Sequence, residues 1–121
     1  MTQSTRDYVL PDGTLVAHGW TGLTSGSLLH IINESESGGT VGKNQPAAFC
    51  GEPSNASMVW SAVNSQGNTS GGSSSCNGWT DATNSGGGAQ WGRTDQTSGS
   101  WTQNCSGGLC SWSCPIYCIG Q

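Results

Sequence analysis

Residues 105–121 read CSGGLCSWSCPIYCIGQ. Four of the six cysteines in the chain, Cys105, Cys110, Cys114 and Cys118, fall in this stretch, and what they do decides the fold. Thiols at such density serve metal ligation, redox turnover or covalent stapling. Structural zinc sites favour two short Cys-x₂₋₄-Cys pairs, or Cys with His, separated by a loop. The gaps here are Cys-x₄-Cys-x₃-Cys-x₃-Cys, with no Cys-x₂-Cys knuckle, and His18 and His30 read as solvated or hydrogen-bonded side chains rather than ligands. A thioredoxin-type pair needs Cys-x-x-Cys, which is absent. Six cysteines in a polar chain most simply form three disulfides, and the count alone leaves fifteen pairings open.

Composition points the same way. At 121 residues the chain suits one domain, residues 1–121, with a single core. Charged residues are 8% and hydrophobic residues 32%, with 20 glycines and long runs of Ser, Thr and Asn. Disorder of low hydrophobicity normally comes with high charge and few aromatics. Six tryptophans, at 20, 60, 79, 91, 101 and 112, argue against it, since each can bury roughly 150–250 Å². Large aromatics and disulfides together stabilise a loop-rich fold whose aliphatic core is thin. The expected setting is extracellular, periplasmic or at a cell surface.

Charge excludes several partners. The formal net charge is −4 and the permanent cations are Arg6, Lys43 and Arg93, so no basic face exists for nucleic acid or sulfated sugars. The longest apolar-leaning segment, LLHIIN at 28–33, falls far short of the roughly 20 residues of a spanning helix. The opening MTQSTRDYVLPDG lacks the cationic start and apolar centre of a signal peptide, so an export signal would lie outside this sequence.

Along the chain, DYVL and TLVAHGW flank Pro11-Asp12-Gly13 and predict a hairpin, because Pro presets one dihedral and Gly accepts a positive one. Leu28 and Ile32, four apart in the one aliphatic cluster, would share a helix face and predict a short helix or an irregular packed segment. SMVWSAV at 57–63 predicts a buried central strand carrying Trp60, and the Gly/Ser-rich run after it a surface loop. PIYCI at 115–119 predicts a terminal strand with Pro at its first position.

Taken in order, MVWSAVNSQG (58–67), SCNGWTD (75–81) and PIYCIGQ (115–121) resemble the C-terminal half of the endostatin-type domains of non-fibrillar collagens. With DGTLVAHGWTGLTSGSLLHIINESE (12–36) ahead of them, they resemble still more closely bacterial endostatin-like domains of secreted and surface proteins. In that family a Val-Trp strand precedes a Cys-x-x-Trp element and the chain closes with Cys-x₇-Cys, the forms of Cys76 to Trp79 and Cys110 to Cys118. The resemblance implies an α+β, loop-rich, C-type-lectin-like fold with a small antiparallel sheet. The family's opening strand and helix, with a further cysteine, have no counterpart here.

It also implies bridges. The inner one is Cys76–Cys110, whereas Cys118, which in the family bonds to the opening helix, is assigned to Cys50, with Cys105–Cys114 as a local clip; the alternative is a Cys118 that is free or differently paired. Lectin relatives raise a calcium site at Glu52, Asp81 and Asp95, but calcium takes six to eight oxygen ligands and this set is poor in them. A turn or cap role for Asp81 is the simpler reading, and no cofactor is expected. Catalysis has less support still, since no Gly-x-Ser-x-Gly element stands between a strand and a helix and no paired acid and base is visible. The expectation is a non-enzymatic binding or adhesion module for protein or carbohydrate. Its contact surface is assigned to the loops 64–75 and 81–100, with Trp79, Asp81, Trp91 and Trp101 as binding residues. The alternative is a structural or assembly domain that associates through an open sheet edge.

Overall fold

Two short strands, β1 (Tyr8–Val9) and β2 (Leu15–Ala17), pair antiparallel with Tyr8 opposite Ala17 and Val9 opposite Leu15. The Pro-Asp-Gly turn closes them as its residue types require. The Gly13 N–H donates to the Leu10 carbonyl at 2.8 Å, the Leu10 N–H to that of Thr14 at 2.9 Å, and Gly13 takes φ 90°. Asp12 accepts the Thr14 N–H at 2.8 Å, and that bond holds its carboxyl below the usual range. The computed structural model describes residues 3–44, 48, 50–69, 75–83 and 88–119; the predicted Gly/Ser loop at 71–74 lies outside them.

Of the two readings of the aliphatic cluster, the irregular packed segment is the one observed, and the first helix lies before it. α1 spans Gly19–Leu23, directly after β2, while Leu28 to Ile32 are not helical. The segment is instead fastened to distant parts of the chain: the Leu28 N–H goes to the Thr97 carbonyl at 2.7 Å and the Leu29 N–H to that of Val16 at 2.9 Å. Leu28 still enters the core, with Ile32 packed beside it.

The second sheet is antiparallel and ordered β3 (Met58–Trp60), β4 (Ala89–Arg93), β5 (Cys105–Gly108). The strand carrying Trp60 is therefore an outer one, and the central position belongs to β4, within the stretch assigned to a binding loop. Polar residues hold that place because their groups are bonded. The Gln90 amide donates to the Val63 carbonyl, and Ser61 donates to that of Thr102. Gly92 is obligatory, since a Cβ there would overlap the Trp101 carbonyl. The tail is no strand: it makes one parallel bridge, Ile116 with Trp60, in which the Trp60 N–H donates to Pro115 at 2.9 Å. Tyr117 ends that register by turning inward onto Trp101, with ring centroids 5.3 Å apart and its hydroxyl donating to the Trp101 carbonyl at 2.9 Å. Burial pushes its phenol above the ordinary tyrosine range.

Apolar side chains gather in two clusters. Tyr8, Leu10, Val16, Ala17, Leu23, Leu28 and Trp101 pack on the hairpin side; Met58, Trp60, Cys76, Ala89 and Trp91 pack on the sheet side.

Two disulfides tie the chain. Cys76 bonds Cys110, the inner bridge expected, with 5.6 Å between Cα atoms. The other two assignments are corrected: Cys50 bonds Cys105, at a Cα distance of 6.3 Å, and Cys114 and Cys118 are thiols. Glu52 explains the exchange. It pairs with Arg93 at the end of β4 and accepts from Asn104 at 3.4 Å, which holds its segment next to Cys105. Tyr117 meanwhile carries Cys118 to the hairpin side. Cys114 lies against the Met58 sulfur at 3.5 Å, and burial pushes its thiol up to about 11.

Alkylation checks this pattern. Iodoacetamide near neutral pH is expected to label Cys118 in the folded protein and to spare Cys114, both reacting once the unreduced chain is denatured. Non-reducing peptide maps that recover Cys118 bonded to Cys50 would overturn the assignment. Removing either bridge alone is expected to cost about 4 kcal/mol in the chain-entropy account.

Candidate functional site

The Cys-Asn-Gly-Trp sequence at 76–79 folds as α2, a single turn wound left-handed. Its φ values are 49° at Cys76, 55° at Asn77, 70° at Gly78 and 68° at Trp79. Gly78 takes this conformation freely and Asn77 tolerates it, but Cys76 and Trp79 bear a penalty of roughly 1–2 kcal/mol each. Four constraints hold the turn. Ser75 accepts the Gly78 N–H on its hydroxyl at 3.1 Å and the Trp79 N–H on its carbonyl at 2.6 Å. Ser75 also bridges to Ala89 of β4, and Cys76 is bonded to Cys110.

The turn sets Trp79 at the surface. The ring is 50% exposed and leans on buried Trp60, with centroids 6.4 Å apart and planes inclined at 60°. Beside the two rings lies a hollow of about 180 Å³, floored by the Cys76–Cys110 bridge and walled by Thr80, Asp81 and Ala82. One Asp81 carboxylate oxygen accepts the Thr83 N–H at 2.7 Å and its hydroxyl at 2.6 Å, so the turn role read for Asp81 and a place on the hollow coincide. The arrangement offers a half-exposed aromatic face and an oriented acceptor on a covalently anchored turn.

Trp91 and Trp101 are not part of it. Trp91, at the centre of β4, is 0% exposed and Trp101 is 3% exposed, so both are core residues and neither can meet a ligand. Of the loops assigned to the contact surface, 70–74 and 84–87 lie outside the described residues, and 89–93 is buried strand apart from its last residue.

The carboxylates considered for calcium separate as well. Glu52 and Asp95 both close on Arg93, with Asp95 bidentate at 2.8 Å to Nε and 2.7 Å to Nη2, while Asp81 belongs to the turn after α2. Among the described residues no three His, Cys, Asp or Glu side chains gather as a metal site. His18 bonds Asp7 at 2.8 Å and His30 bonds the Ile31 carbonyl at 2.9 Å, both at the surface.

The residues that sequence reasoning missed lie elsewhere. Val9, Ile116 and Ile119, exposed at 56%, 63% and 44%, line a cleft of about 720 Å³ between the hairpin and the tail. The signal was present in PIYCI. Side chains of extended backbone alternate, so a Tyr117 turned in against the hairpin-side cluster sends Ile116 and Cys118 outward.

Comparison with known proteins finds no family model, no curated protein and no solved structure that matches the chain.

Arg93 gives the fold a pH dependence with a definite sign. Its hydrogen bonds hold the Asp95 carboxyl below the ordinary 3.8, so the unfolded chain binds a proton there more readily than the folded one. The contribution is complete above that range and is lost as pH falls through it. Thermal melts of Asp95→Asn are expected to show a flatter acid limb than the parent; parallel limbs would reject the pairing.

Proposed function

We propose that the chain is a non-enzymatic, extracytoplasmic binding module with the C-type-lectin-like, endostatin-like fold that its sequence resembles, and that it stacks a sugar ring on Trp79. The observation that carries this reading is the half-exposed Trp79 ring on a left-handed turn bonded through Cys76 to Cys110. A platform fixed in advance avoids the ordering cost that weakens binding by mobile loops. The C–H face of a pyranose is complementary to the electron-rich face of an indole, and Asp81 at the hollow supplies an acceptor for a sugar hydroxyl. Two disulfides suit an oxidising compartment, and among the described residues no helix is long and apolar enough to cross a membrane.

The assembly reading has one observation in its favour. β5 is an outer strand with no second strand partner among the described residues, and Ser106 and Gly107 on it are exposed. Size-exclusion chromatography separates the two, because the binding module elutes as a monomer at all concentrations.

An array of neutral oligosaccharides, followed by titration monitored through tryptophan emission, tests the sugar reading. Trp79→Ala is expected to weaken binding about tenfold or more, equivalent to about 1.4 kcal/mol, with little change in melting temperature. Trp91→Ala and Trp101→Ala should instead lose about 3–5 kcal/mol of stability. Unchanged affinity in a folded Trp79→Ala variant, or an array with no hit, would reject Trp79 as the platform.

A further inference from the structure

The cleft between the hairpin and the tail, at about 720 Å³, is four times the volume of the Trp79 hollow and shares no lining residue with it. Six large apolar side chains of the described chain are exposed, and three of them, Val9, Ile116 and Ile119, meet on this one cleft. Scattered apolar residues need no explanation, whereas a gathered set on a concave surface marks a contact. Val59 and Leu23 line its depths and are buried at 1% and 2% exposure. The tail wall also offers main-chain groups: Cys118 and Ile119 make no backbone hydrogen bond to another described residue.

Charge selects the occupant. Asp7, Glu34 and Glu36 line the cleft and no Lys or Arg does. Glu34 is positioned by the Asp12 N–H, which it accepts at 3.1 Å, and Asp7 by His18 at 2.8 Å. A second copy of the chain would bring the same acidic wall and a net charge of −4, and an anionic lipid or a nucleic acid would meet the same repulsion. A cationic partner with apolar side chains gains on both counts.

We propose that this cleft is a docking site for a peptide segment of a partner protein, in which a short apolar run is flanked by lysine or arginine. The apolar side chains fill the space over Val59 and Leu23, and the flanking cations face Glu34 and Glu36. Main-chain groups of the peptide pair with those of residues 118–119, the way an extended segment adds to an open backbone edge.

Fluorescence anisotropy with two blocked, dye-labelled probes, Lys-Val-Leu-Val-Ile-Lys and its counterpart with Glu at both ends, tests the proposal. The cationic probe is expected to bind about tenfold or more tightly than the acidic one. The gap should close in about 1 M sodium chloride, where the screening length falls to ~3 Å. Ile116→Asp and Val9→Asp, at exposed positions that should leave the fold intact, are each expected to abolish binding, and Glu34→Gln with Glu36→Gln to equalise the two probes. Trp79→Ala should leave peptide binding unchanged, which keeps this result independent of the sugar reading. Equal affinities in the parent protein, no binding of either probe, or binding retained in both aspartate variants when they melt like the parent would overturn the proposal. So would self-association that Ile116→Asp removes, since the occupant would then be a second copy.

Discussion

Everything in the sheet half of the molecule depends on two covalent ties that cross. Cys50 bonds Cys105 and Cys76 bonds Cys110, so in chain order each bridge has one end inside the loop closed by the other. Strands of three to five residues cannot hold a sheet by their own ladders. The bridges overcome this by tying β5 and the segment after it to two distant parts of the chain. One is the segment paired through Glu52 to the end of β4; the other is the left-handed turn that bridges to Ala89 at its start. The sheet is thus held at both ends of its central strand, and the strain in α2 is tolerated because the bridge keeps Cys76 in place.

Tryptophan takes the part that aliphatic residues play elsewhere, and it does so at a cost. Trp91 and Trp101 fill the two clusters, and among the described residues no protein group bonds their buried indole N–H groups or the hydroxyls of Thr94 and Thr102. A buried polar group left unsatisfied forfeits roughly 1–3 kcal/mol. Large rings compensate by the apolar area they remove from water. Trp79 differs because its neighbour on the sheet side is another ring, so it covers Trp60 with one flank and keeps the rest in solvent.

Legibility followed the range of the interaction. The hairpin could be read from Pro11-Asp12-Gly13 because turn chemistry is local, and Cys76–Cys110 followed from the family resemblance. Around Leu28 the sequence left a short helix and an irregular packed segment both open, because the partners of the Leu28 and Leu29 donors, Thr97 and Val16, lie in no window around residue 28. Likewise the partner of Cys105 is set by an ion pair between Glu52 and Arg93, far apart in sequence. Of the four residues proposed for binding, the exposed one sits at a special backbone position. Trp91 and Trp101 carry the same side chain and are buried because β4 is central and because Tyr117 folds back onto Trp101. The cleft escaped notice because PIYCI has the composition of a strand, and an inward tyrosine at 117 turns Ile116 out.

The crossed bridges also decide where mechanical tension would travel. A pull applied to the chain before residue 50 and after residue 110 passes from Cys50 through its sulfur directly to Cys105, the shortest covalent route. Residues 51–104 hang from that route as a slack loop, fastened again at Cys76. The hairpin, α1 and the tail would be drawn out and the cleft between them dismantled, whereas β3, β4 and the Trp79 turn would feel almost no stretching of their backbone. The molecule therefore divides into a part that yields under load and a part that is shielded from it, and the two surfaces proposed for ligands fall on opposite sides of that division.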